Sequence, residues 1–120
     1  MSVNPRENLS VRRENALLVK VILGGAAPIE DPLVELAELA RSAGANVVSR
    51  VVQRRPAYHP ASCVGKGKLE EIRQRADVYE ADVVIFDNDL SPSQIREIEK
   101  ATGRKVLDRS ELILDIFASR

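Results

Sequence analysis

The sequence predicts an α/β sandwich: three layers around a four-stranded parallel sheet, in the order βαβαβαβα. Three observations carry this. Short valine- and leucine-rich runs alternate with amphipathic stretches of helical period. The segments between the runs are 17–27 residues long, and each holds a helix, which requires parallel pairing through crossovers. The 120 residues, 44% hydrophobic and 30% charged, suit one domain with a sizeable core.

Residues 1–14 are polar and are expected to form a flexible segment ahead of a domain over 15–120. Ala16–Leu23 reads as a strand buried on both faces and ends at Gly24-Gly25. Asp31-Pro32 is expected to start the first helix, with Asp31 as N-cap. Leu33, Leu36, Ala37, Ala40 and Ala43 share one face of it, and Gly44 closes it. Asn46–Arg54 is a valine-rich strand followed by a loop bracketed by Pro56 and Pro60.

A second helix runs from about Lys66, with Leu69, Ile72, Ala76 and Tyr79 as its apolar stripe. Asp82–Asp87 is the third strand. Leu90–Ile95 opens the third helix with Ser91 as cap, Pro92 at the first position, Gln94 completing a capping box, and a Leu90/Ile95 staple. Gly103 ends it. Lys105–Leu107 is a short fourth strand, and Asp108 with Glu111 repeats the capping logic for a last helix carrying Leu112, Ile113, Ile116 and Phe117.

The formal charge is zero, but it is uneven. Residues 50–75 hold seven Lys/Arg against two Glu, while residues 76–120 hold six basic and ten acidic side chains. A basic segment of this kind can meet a polyanion locally. Cys63 is the single cysteine, so no internal disulfide forms. The N-terminus lacks the apolar core of a signal peptide, and the run Ala16–Leu23 is too short to span a bilayer.

Nucleotide motifs fail one by one. Gly65-Lys66-Gly67-Lys68 lacks the upstream glycine and the hydroxyl of a phosphate loop, since Ser62 and Leu69 stand there. The first strand is followed by GGAAPIE, which is not a dinucleotide fingerprint. Asp87 and Asp89 resemble a metal-binding pair but lack a third ligand after the first strand. His59 and Cys63, four apart, lack a nearby group to orient the histidine, and two ligands do not make a zinc site. No catalytic residue and no metal site are expected in this chain.

What remains is the basic loop. Arg54, Arg55, His59, Lys66 and Lys68 surround Tyr58, Gly65 and Gly67. Glycines admit close approach of a backbone to an anion, and a tyrosine can stack on a base. A solvated surface loop, with the glycines serving only the turn into a helix, is the alternative.

Four stretches together carry a family resemblance: AGANVVSRVVQRR, PAYHPASCVGKGKLEEI, VVIFDNDLSPSQ and KVLDRSELILDIFASR. With them, residues 15–120 resemble the N-terminal domain of HflX-type GTPases. Cys63 stands where members often carry an aromatic residue, and Ile95–Glu99 reads IREIE where members often read QRNLE.

The resemblance implies a cytoplasmic protein that binds ribosomes, chiefly the large subunit and its rRNA. It further implies that the chain is a piece of a longer protein, in which a helical hairpin and a G domain follow. GTP and Mg²⁺ would belong to that G domain, and no cofactor is expected here. On this reading Arg54, Arg55, Lys66 and Lys68 contact phosphate, Gly65 and Gly67 let the loop approach, and Tyr58 and Gln53 touch sugar or base. Two alternatives stand beside it. One is a purine-nucleotide site, for ATP, at Gly24, Gly25, Asp87 and Asp89. The other is a structural module that packs on its own G domain.

Overall fold

Four parallel strands form one sheet in the order β2-β1-β3-β4. The computed structural model describes residues 9–25 and 30–118. The elements are β1 (Asn15–Leu23), α1 (Val34–Ser42), β2 (Asn46–Arg55), α2 (Lys66–Val78), β3 (Val83–Phe86), α3 (Pro92–Thr102), β4 (Lys105–Asp108) and α4 (Arg109–Ala118). The expected α/β sandwich is what the chain adopts.

Alternation along β1 sorts the core into two layers. Leu17, Val19 and Val21 pack with Ile72 and Ala76 of α2 and with Ile95 and Ile98 of α3. Ala16 and Leu18 pack with Leu36, Ala37 and Ala40 of α1 and with Leu112 of α4. A strand flanked by helices on both faces favours apolar residues at nearly every position, which explains the run from Ala16 to Leu23, interrupted at Lys20.

Helix ends follow local chemistry. Ser91 Oγ accepts the Gln94 N–H at 3.2 Å while Gln94 Oε1 accepts the Ser91 N–H at 2.9 Å, the expected capping box. Asp108 and Glu111 exchange the same pair of bonds at the start of α4, at 3.0 and 3.2 Å. Asp108 Oδ2 also accepts the Leu90 N–H at 3.1 Å, tying the β3–α3 turn to α4. Gly103 closes α3 in the left-handed region.

Three expectations need correction. The helix α1 begins at Val34, with Leu33 as its N-cap residue. Asp31 lies two positions before the N-cap: its Oδ1 accepts the Leu33 N–H at 3.1 Å and shapes the turn into the helix. Tyr79 leaves the apolar stripe, because α2 stops at Val78 and the ring is exposed. The stop is made by Glu80 at φ 54° with the Ala81 N–H on the Ala76 carbonyl at 2.9 Å, a helix end without glycine. Residues 9–14 are docked on the fold: Val11 is fully buried, Arg13 N–H reaches the Gly44 carbonyl at 2.8 Å, and Lys105 Nζ pairs with Glu14 at 2.7 Å. The rest of the N-terminal segment, residues 1–8, and the GGAAPIE positions 26–29 lie outside the described residues, as do 119 and 120.

Candidate nucleic-acid interface

The loop after β2 crosses the carboxyl edge of the sheet toward α3. His59 and Cys63 pair main chain to main chain, N–H to carbonyl in both directions, at 3.0 and 2.8 Å. The His59 Nδ1 accepts the Ala61 N–H at 3.2 Å and lies 3.4 Å from the Ser62 hydroxyl, so the ring is turned in on its own loop. Ser62 is buried and its hydroxyl donates to the Val64 carbonyl at 2.8 Å. Gln94 Nε2 donates to the carbonyls of His59 and Pro60, both at 3.4 Å, fastening the loop to the start of α3.

Cys63 is buried at φ 66°, and burial pushes its thiol up to about 11, against the pull of the Arg55 charge. A neutral buried thiol is no nucleophile at ordinary pH. The pair His59/Cys63 therefore shapes the loop rather than forming a thiolate–imidazole couple.

The strand separates the two arginines. Ser49, Val51, Gln53 and Arg55 stand opposite Leu17, Val19, Val21 and Leu23 on the α2 side of the sheet, while Arg50, Val52 and Arg54 stand opposite Leu18, Lys20 and Ile22 on the α1 side. Arg50 accordingly pairs with Asp31 at 3.0 Å ahead of α1, and Arg75 of α2 donates to Ser49 at 3.3 Å. Arg55 folds over the start of α2: its Nε donates to the Ala57 carbonyl at 2.9 Å, and a Cβ on Gly65 would stand 2.6 Å from its Nη1. The absence of a side chain at Gly65 thus leaves room for Arg55 to lie on it. Gln53 Oε1 accepts the Gly65 N–H at 3.0 Å, a structural bond at the position expected to touch a ligand.

At the start of α2 stand Lys66, Gly67 and Lys68, with no acidic residue in the first turn and no side-chain cap. Lys66 and Gly67 are exposed, and a Cβ on Gly67 would meet open space. Lys68 pairs with Glu71 at 3.0 Å, and that hydrogen bond, with Arg75 adding to it, holds the Glu71 carboxyl below the usual range. The structure brings together Arg55, Gly65, Lys66, Gly67 and Lys68; Arg54 is set on the other face.

Tyr58 sits over the junction of β1 and β3. Asn88 occupies that junction: Oδ1 accepts the Val21 N–H at 2.8 Å, Nδ2 donates to the Val21 carbonyl at 2.9 Å, and Nδ2 lies 3.5 Å from the Tyr58 hydroxyl. In this topology the junction is the usual ligand crevice. Asp87 is also spoken for. Its carboxylate, 7% exposed, holds Lys20 at 3.0 Å and Arg109 at 2.8 Å, and Arg109 reaches on to Glu35. Asp89 accepts from Ser110 at 3.3 Å. Gly24 at φ 69° donates to the Arg55 carbonyl at 2.9 Å, and Gly25 is exposed beside it. Sequence reasoning missed Asn88, Lys20 and Arg109; their role depends on which strands are neighbours, which no local motif records. Among the described residues no cluster of His, Cys, Asp and Glu could hold a metal ion, and no helix is long and apolar enough to cross a membrane.

Residues 30–118 match the family described as GTP-binding GTPase N-terminal. The chain belongs to this family. The GTPase HflX of Lacrimispora saccharolytica is 45% identical over 107 residues, 89% of this chain and 25% of that relative. The GTPase HflX of Escherichia coli is 41% identical over 107 residues, again 89% of this chain and 25% of the relative. The HflX-type N-terminal domain described here thus spans about a quarter of the length of these relatives. A solved GTP-binding protein from the archaeon Sulfolobus solfataricus, in complex with GDP, shares the fold with a TM-score of 0.61 at 23% identity, covering 88% of this chain and 30% of that one.

Proposed function

We propose that this domain is a ribosome-binding module of an HflX-type GTPase, contacting large-subunit rRNA in the cytoplasm through the basic edge at the start of α2. GTP and Mg²⁺ would be handled by a G domain elsewhere in the full-length protein. Lys66, Lys68 and Arg55 contact phosphate, Gly67 lets the chain approach closely, and Arg54 meets the same polyanion from the other face of β2.

One observation carries the reading. The first turn of α2 holds two lysines and no acid, with Arg55 folded over its N-cap. Helix N-termini favour negative charge, so cations there are locally unfavourable until an anion arrives. A phosphate backbone is such an anion, and it couples binding to salt through counterion release.

The test is co-sedimentation with purified large ribosomal subunits across a salt series, with Lys66→Ala/Lys68→Ala alongside. Salt-sensitive pelleting is expected, with the slope reduced by about two in the variant. Salt-independent pelleting, or pelleting indifferent to the lysines, would refute the assignment.

A second role is favoured by α4, which exposes Leu114 and Phe117 three residues apart on one face. In the longer protein this face would pack on the G domain, and amide exchange along α4 should slow there relative to this chain. Equal exchange would rule the contact out.

A further inference from the structure

The loop carrying Tyr58 is tied to its neighbours at several points while Tyr58 itself remains exposed. Four attachments fix the loop: Arg55 to the Ala57 carbonyl, the His59–Cys63 main-chain pair, Gln94 to the His59 and Pro60 carbonyls, and Asn88 at the Tyr58 hydroxyl. Tyr58 is 46% exposed. Flanking prolines at 56 and 60 further limit the backbone.

We propose that Tyr58 is a preorganised stacking platform for an unpaired nucleobase, so that the target of this domain is single-stranded or looped RNA rather than duplex. The inference rests on the RNA-binding reading above and names the class of RNA that reading leaves open. An aromatic face that is ordered before binding stacks a base at little entropic cost. In a duplex the bases are stacked on each other and present no free face to it. Phosphate contacts at Lys66 and Arg55 serve either RNA form; the platform serves only the unpaired one.

The experiment compares a short oligoadenylate with an RNA duplex of the same length, binding this chain at fixed low salt. Tyr58 and Tyr79 are the only tyrosines and there is no tryptophan. A Tyr79→Phe background therefore leaves Tyr58 as the single reporter on tyrosine emission. Oligoadenylate is expected to quench that emission and duplex to leave it unchanged. Tyr58→Ala should weaken oligoadenylate binding about tenfold and duplex binding little, while Tyr58→Phe, which keeps the ring, stays within about threefold of the parent. Thermal unfolding of each variant controls for loss of fold. Equal affinity of the two RNAs with no quenching and no effect of Tyr58→Ala would overturn the platform while leaving phosphate binding in place. Failure of both RNAs to bind would overturn the RNA-binding reading and the platform with it.

Discussion

Asn88 acts as a strand residue by means of its side chain. Its amide exchanges two hydrogen bonds with the main chain of Val21, at 2.8 and 2.9 Å, just past the point where Asp87 N–H meets the Val19 carbonyl. The ladder between β1 and β3 is thereby lengthened after β3 has ended. Asn88→Ala leaves a main-chain donor and acceptor of β1 without partners. It is expected to lower stability by about 1–3 kcal/mol in a urea titration. A midpoint equal to that of the parent would mean that water replaces the amide fully.

Gly65 and Gly67 look alike in sequence and should behave differently. Alanine at 65 meets Arg55 Nη1 at 2.6 Å, the far end of a flexible side chain. Arg55 must swing away, at a small cost in stability. Alanine at 67 enters open space within α2. Removing a helical glycine there should stabilise the fold by up to about 1 kcal/mol. If Gly67 serves RNA approach, Gly67→Ala gains in melting temperature and loses in RNA affinity. A gain in both would remove Gly67 from the interface.

The Cys63 thiol should be inert in the folded protein. Burial raises it from 9.0 to about 11. A thiol-specific reagent near pH 8 is expected to label it far more slowly than in denaturant. The same shift sets a pH limit. Below pH 9 native and unfolded thiols are both protonated and the contribution to stability is complete. Between pH 9 and about 11 only the unfolded chain ionises, so stability falls as pH rises. Cys63→Ala should remove this alkaline loss.

Much of this was legible in the sequence, and the failures have physical causes. The capping boxes at Ser91/Gln94 and Asp108/Glu111 are local and were read correctly. The end of α2 was not legible, because Glu80 takes the left-handed conformation that glycine usually marks. The grouping of Arg54 with Arg55 ignored strand alternation, a signal that was present: neighbours in a strand point to opposite faces. Lys20, Asn88 and Arg109 come together only through the neighbour relations β1–β3 and β3–β4. Strand order is fixed by tertiary packing, and local patterns do not specify it.

Asp87 offers the sharpest separation between scaffold and ligand site. It follows β3 directly, where folds of this order often place a metal or nucleotide contact. Here its carboxylate is nearly enclosed and faces two cations, Lys20 and Arg109, which also link β1 and α4. Asp87→Ala removes the shared anion and leaves both cations facing one another. Breaking a fully buried pair costs about 3–5 kcal/mol; with Lys20 and Arg109 partly in water, about 2–3 kcal/mol is expected here. Asp87→Asn, which keeps the shape and can still accept hydrogen bonds, should cost less. Equilibrium dialysis with ATP and Mg²⁺ on the parent and on Asp87→Asn tests the competing role. A scaffold residue predicts lowered stability with no nucleotide binding to lose. Saturable binding by the parent that vanishes in a still-folded Asp87→Asn would instead place a nucleotide at the strand ends.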